Sequence, residues 1–67
     1  MKNLIINGFS LRDINFTNLN NLIDGLIEEY AEQTLREIFH FLHNITTLTK
    51  QERNTIEIKL MKHFNID

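Results

Sequence analysis

Apolar residues recur at spacings of three and four over a long part of the chain that contains no proline. The series runs from Leu19 to Ile45, and the whole sequence lacks proline. This spacing lines up apolar side chains along one side of a helix and is typical of an amphipathic α-helix. We therefore predict a mainly all-α fold with one long helix over residues 18–45, about 42 Å long at about 1.5 Å per residue.

A second helix is predicted over residues 50–64, because Thr49 and Glu52 have the spacing of a capping box. Lys59, Lys62 and His63 lie near its end, where positive charge is favourable to the helix dipole. Only a short link, residues 46–48, separates the two predicted helices. The sequence thus favours an antiparallel helical hairpin of one long and one shorter helix.

Opposing signals in the sequence bear on whether the long helix is continuous. The apolar residues of its second half centre about 110° around the axis from those of its first half, so the apolar face shifts near Gln33. Thr34 and Glu37 could form a capping box at a kink there. Glu32 and Arg36 have the spacing of a favourable ion pair within one helix, and we interpret the segment as continuous.

The first sixteen residues are predicted to form an extended arm or a short β-hairpin. Asn7-Gly8 separates two apolar stretches, and this dipeptide tolerates the positive φ angles of a type I′ turn. The competing interpretation starts a helix at Ser10, with Asp13 completing an imperfect capping box. The predicted organisation is a single small domain spanning residues 1–67.

Small size and the absence of cysteine predict association with a partner. A domain of 67 residues buries only roughly 60% of its unfolded surface, and no disulfide or thiolate metal site can compensate. The predicted C-terminal helix spans about 24 Å and covers only half of the long one. The predicted partner interface is the uncovered stripe of Leu19, Leu22, Ile23, Leu26, Ile27 and Tyr30. Alternatively, the apolar residues of the N-terminal arm cover this stripe in a monomer.

Acidic side chains lie beside this stripe. The acidic face consists of Asp24, Glu28, Glu29 and Glu32. It is interpreted either as a docking surface for a basic partner or as an ordinary solvated helix face.

No pattern in the sequence indicates catalysis or a cofactor, and we predict neither. Glu37, His40 and His43 follow each other at spacings of three, but a carboxylate–histidine metal site needs ligands from further helices, so no metal is expected. The N-terminal apolar run is too short for a signal peptide or a membrane span, which favours a cytoplasmic protein without membrane contact.

A net charge of −2 disfavours binding to nucleic acid, which requires basic side chains that neutralise phosphates. The best alternative is still a helix-turn-helix regulator, in which the second helix would reach base edges. Its nucleic-acid contacts would be Lys50, Gln51, Arg53 and Asn54.

These observations favour a small, non-enzymatic interaction or regulatory protein. It is expected to homodimerise through the stripe, or to use the stripe and the acidic face to bind and inhibit a larger host protein.

Overall fold

The computed structural model describes residues 3–65. A two-stranded hairpin precedes three helices, and the elements are β1 (Ile5–Ile6), β2 (Phe9–Ser10), α1 (Phe16–Glu28), α2 (Glu32–Phe41) and α3 (Lys50–Phe64). A short 3-10 helix, Leu42–Asn44, follows α2 directly. The described part of the chain is therefore mainly helical, as the apolar spacing predicts.

The N-terminal β-hairpin is confirmed. β1 and β2 pair antiparallel, with Ile6 opposite Phe9, and Asn7 and Gly8 form the two-residue turn between them. Both turn residues have positive φ, 51° and 82°, as a type I′ turn requires. The alternative helix starting at Ser10 is wrong, because α1 begins only at Phe16, where Asn15 caps it by accepting a hydrogen bond from the Asn18 N–H.

The prediction of a continuous helix over residues 18–45 is wrong. α1 ends at Glu28 and α2 begins at Glu32, so the break lies before the Thr34 capping box that the sequence offers. Thr34 lies inside α2, and the residue that precedes α2, Ala31, provides no side-chain cap. The break allows the differently oriented apolar faces of the two segments to turn toward one core.

α3 begins and ends as predicted. The Thr49 hydroxyl accepts a hydrogen bond from the Glu52 N–H, and the Glu52 carboxylate accepts one from the Thr49 N–H. Both halves of the capping box are thus formed. At the other end, Asn65 adopts the left-handed conformation with φ 63° and closes the helix.

The expected helical hairpin is replaced by three helices, each of which contacts the other two. Their apolar side chains form one core together with residues of the N-terminal segment and the loop before α3. The side chains that this core buries completely are Leu11, Leu19, Ile23, Leu35, Ile38, Leu42, Ile45, Ile56 and Leu60. None of the helices described over residues 3–65 combines the length and apolarity needed to cross a membrane.

Polar contacts connect the N-terminal half to the C-terminal half. The Thr47 hydroxyl donates to the Ile14 carbonyl, and Lys59 on α3 donates to the Asn20 side chain on α1 over 2.9 Å. Lys59 also forms an ion pair with Asp24. The two Lys59 contacts fix α1 against α3, and the Thr47 contact joins the loop before α3 to the segment before α1.

Candidate functional site

The turn between α1 and α2 has the hydrogen bonds of a Schellman motif. The Ala31 N–H donates to the Leu26 carbonyl over 3.0 Å, and the Tyr30 N–H donates to the Ile27 carbonyl over 3.2 Å. This motif requires a left-handed residue just after the helix, and Tyr30 fills that position with φ 56°. These hydrogen bonds join backbone groups only, so they do not require an aromatic side chain at this position.

Tyr30 is an unusual residue for this backbone conformation. Within residues 3–65, the other residues with positive φ are Asn7, Gly8 and Asn65, which are types that adopt it at low cost. For a tyrosine the left-handed conformation costs about 1–2 kcal/mol. The residue is also 82% exposed, so burial of the ring does not offset this cost.

The last residues of α1 are electrostatically unfavourable. Glu28 and Glu29 lie at its C-terminal end, where the backbone carbonyls carry partial negative charge, and the last turn contains no basic residue. A carboxylate at this end costs about 0.3–1 kcal/mol when exposed. Both side chains are exposed, and neither forms an ion pair with any of the described residues.

We define the acidic turn as Glu28, Glu29, Tyr30 and Glu32. All of its members are exposed. Two exposed carboxylates, Glu28 and Glu29, directly precede the exposed ring of Tyr30 in the chain. This set is suited to basic groups, because carboxylates pair with guanidinium or ammonium and a tyrosine ring attracts cations.

The predicted acidic face is divided by the structure into two kinds of residue. Asp24 pairs with Lys59, and Glu32 lies 2.6 Å from the ring Nε2 of His63, so both acids contact α3. Glu28 and Glu29 contact no base among residues 3–65 and are the members available to a partner. Lys59 and His63 lie on a different helix from these acids, so no local spacing in the sequence predicts that they contact each other.

The predicted apolar interface is largely buried inside the chain itself. Leu19, Leu22, Ile23 and Leu26 are between 0% and 8% exposed, because α1 folds back onto α2 and α3. Ile27 is half-buried at the edge of the core. Of the six predicted interface residues only Tyr30 is well exposed, and it lies beyond the end of α1.

The residues of the alternative nucleic-acid surface lie together at the start of α3. They line an open groove of about 640 Å³ together with His43 and Glu57, and they are Lys50, Gln51, Arg53 and Asn54. The Arg53 guanidinium donates to the Ile45 carbonyl over 3.1 Å, and its Nε is buried without a hydrogen-bond partner. One of the two cations is therefore engaged in holding the end of the preceding 3-10 helix.

Two of the three histidines, His40 and His63, line one groove, and His43 lines another. His40 lines a groove of about 450 Å³ together with Glu32, Arg36 and His63. His43 lines the groove at the start of α3. Within residues 3–65, no three His, Asp or Glu side chains are grouped closely enough to hold a metal ion.

Comparison with protein-family models, curated proteins and solved structures finds no match to this chain.

Proposed function

We propose that this chain is a small non-enzymatic regulatory protein that binds a basic surface of a larger partner through its acidic turn. The observation that carries the proposal is the run Glu28-Glu29-Tyr30. Each of these three consecutive residues is unfavourable to the local structure, and each is exposed. Departures from local structural preference concentrate at functional sites. The rest of the fold compensates for the free energy that they cost.

The chemistry of the turn supports a partner with arginine or lysine side chains. Glu28 and Glu29 offer two carboxylates without an intramolecular base among the described residues. Tyr30 adds a large, rigid contact surface, and exposed tyrosines are frequent energetic centres of protein interfaces. Binding of this kind would block the partner's basic surface, which is how the chain would inhibit it.

Homodimerisation through the stripe of α1 is not part of this proposal. Four of the six side chains that were expected to form that interface are core residues of the single chain. Exposing them would cost the burial that holds the three helices together.

The proposal is tested by affinity capture from an extract of the source cells. The wild-type protein is compared with a triple variant, Glu28→Gln, Glu29→Gln and Tyr30→Gly, followed by binding measurements with each purified captured protein. We expect the wild type to capture a protein with a basic surface, with affinity that decreases as salt increases. The triple variant should bind at least about tenfold more weakly, because it loses two charged contacts and the ring.

A matched control separates this site from net charge. Glu37→Gln with Glu57→Gln changes the net charge by the same amount on other surfaces. This control should bind like the wild type. Equal binding by the wild type and the triple variant would exclude the acidic turn as the binding site.

A nucleic-acid-binding function is the second candidate. It is favoured by the exposure of Lys50, Gln51 and Asn54 along the groove at the start of α3. Fluorescence anisotropy with random duplex DNA distinguishes the two functions. Salt-sensitive binding that is weakened by Lys50→Gln would support a DNA regulator, whereas the protein-binding proposal predicts no binding.

A further inference from the structure

The link between α1 and α2 contains nothing that requires it to be a turn. Its residues, Glu29, Tyr30 and Ala31, include neither glycine nor proline, and all three types are compatible with a helix. α2 starts without a side-chain cap. In the turn Tyr30 has the left-handed φ of 56°, which a straight helix would relieve.

This link is also the only covalent connection between two parts of the structure. The N-terminal unit, residues 3–28, contains the hairpin and α1, and the C-terminal unit, residues 32–65, contains α2 and α3. The units contact each other through the core and through the pairs Thr47–Ile14, Lys59–Asn20 and Lys59–Asp24. None of these contacts depends on the units belonging to the same chain.

We propose that two copies of this chain exchange their N-terminal units by straightening the Glu29–Ala31 link into a helix. Each N-terminal unit then packs on the C-terminal unit of the other copy and makes the same contacts that it makes in the monomer. The inference does not require the proposed binding partner, although both proposals use the left-handed backbone of Tyr30.

The geometry of the straight form requires a second copy. A helix through α1, the link and α2 has about 26 residues and is about 39 Å long. α3 packs on α2 and, at 15 residues, is too short to cover the whole of such a helix. Leu19, Ile23 and Leu26 on α1 would therefore be uncovered, and the surface shaped to bury them is the C-terminal unit of another copy.

Exchange retains the buried contacts and improves the link. Both Tyr30 residues leave the left-handed conformation, and the backbone groups at the end of α1 and the start of α2 gain helical hydrogen bonds. A short link under strain is the condition that favours exchange over folding within one chain. High protein concentration supplies the remaining driving force by mass action.

Two substitutions of the same residue test the backbone mechanism. Tyr30→Gly removes the strain of the turn and disfavours the straight helix, whereas Tyr30→Ala keeps the β-carbon and favours the helix. Both remove the ring. After refolding at millimolar concentration, analytical ultracentrifugation should show dimers for the wild type and for Tyr30→Ala. Tyr30→Gly should dimerise about two to three orders of magnitude more weakly than Tyr30→Ala.

Zero-length cross-linking identifies the exchange directly. A carbodiimide joins the Asp24 carboxylate to the Lys59 amine, which form an ion pair. In dimers refolded from a mixture of unlabelled and heavy-nitrogen-labelled chains, exchange places Asp24 of one chain beside Lys59 of the other. Mass spectrometry should then detect Asp24–Lys59 peptides that contain one labelled and one unlabelled partner.

Either of two results would overturn the exchange. One is a wild type and a Tyr30→Ala variant that both stay monomeric after refolding at millimolar concentration. The other is a dimer whose Asp24–Lys59 cross-links all lie within one chain, since such a dimer associates through its surface.

Discussion

At the residue scale, Tyr30 has a backbone conformation that the fold requires and that tyrosine itself disfavours. Asn7, Gly8 and Asn65 accept positive φ readily, and their positions agree with their residue types. Tyr30 does not, and its ring gains no burial, since it is 82% exposed. The fold therefore carries a local cost at this residue that a different residue type would remove.

Tyr30→Gly is expected to raise the free energy of unfolding by about 1 kcal/mol, because glycine adopts the left-handed conformation without a steric cost. Urea unfolding at low micromolar concentration, which favours the monomer by mass action, measures the change. Tyr30→Ala is the control, since alanine keeps the β-carbon that causes the cost. An equal gain in both variants would attribute the effect to loss of the ring.

At the element scale, the helices differ in whether their ends are capped by residues that are close in sequence. α3 begins with the capping box of Thr49 and Glu52 and ends at the left-handed Asn65. α1 begins with the Asn15 cap. α2 starts after Ala31 without a side-chain cap, although its first turn contains Glu32, which the helix dipole favours. α2 therefore depends on its packing more than α3 does.

Thr49→Ala is expected to destabilise the protein by about 1 kcal/mol, because it leaves the Glu52 N–H without its cap and breaks the capping box. Thermal unfolding followed by circular dichroism should show a decrease of several degrees. Thr55→Ala is the matched control inside the same helix, where the Thr55 hydroxyl only bonds back to the Gln51 carbonyl. That control should change the melting temperature little or raise it.

At the scale of the whole molecule, one core integrates all parts of the described chain. Ile6, Leu11 and Ile14 from the N-terminal segment pack with the buried side chains of the helices. This agrees with the alternative in which apolar residues of the N-terminal segment cover α1 within one chain. Ile5 of that segment, in contrast, points outward and is 67% exposed. Burial of α1 within a single chain makes its apolar residues determinants of stability.

Leu26→Ala is expected to cost about 2–5 kcal/mol, because it removes a side chain that is only 5% exposed. A domain of this size has about 3–10 kcal/mol in total, so the loss takes up a large part of its stability. Urea unfolding should show the loss equally at low and high micromolar concentration.

Ile58→Ala is the control for this experiment. Ile58 is an exposed aliphatic residue of α3, and its truncation should change the stability by less than about 0.5 kcal/mol. A loss in Leu26→Ala that grew with protein concentration would instead place Leu26 in an interface between chains.

The sequence by itself determined the features that depend on neighbouring residues. The type I′ turn at Asn7-Gly8 follows from the φ preferences of those two residues, and the start of α3 follows from the reciprocal hydrogen bonds of Thr49 and Glu52. The apolar spacing likewise predicts the helical character of this part of the chain, which α1 and α2 confirm. These features are local because the groups that stabilise them lie within a few residues of each other.

Only the tertiary structure decided where the long apolar segment breaks and which of its residues remain exposed. No residue of Glu29–Ala31 favours a break, and the turn forms because it lets α1 bury Leu19, Ile23 and Leu26 against α2 and α3. That gain comes from residues distant in sequence and outweighs the local cost at Tyr30. Packing against α3 brings Lys59 to Asp24 of α1 and His63 to Glu32 of α2, and it leaves Glu28 and Glu29 without a basic contact among residues 3–65. All four residues of the acidic turn belong to the sets predicted from the sequence, and only the packing separates them from the members of those sets that are buried in the core.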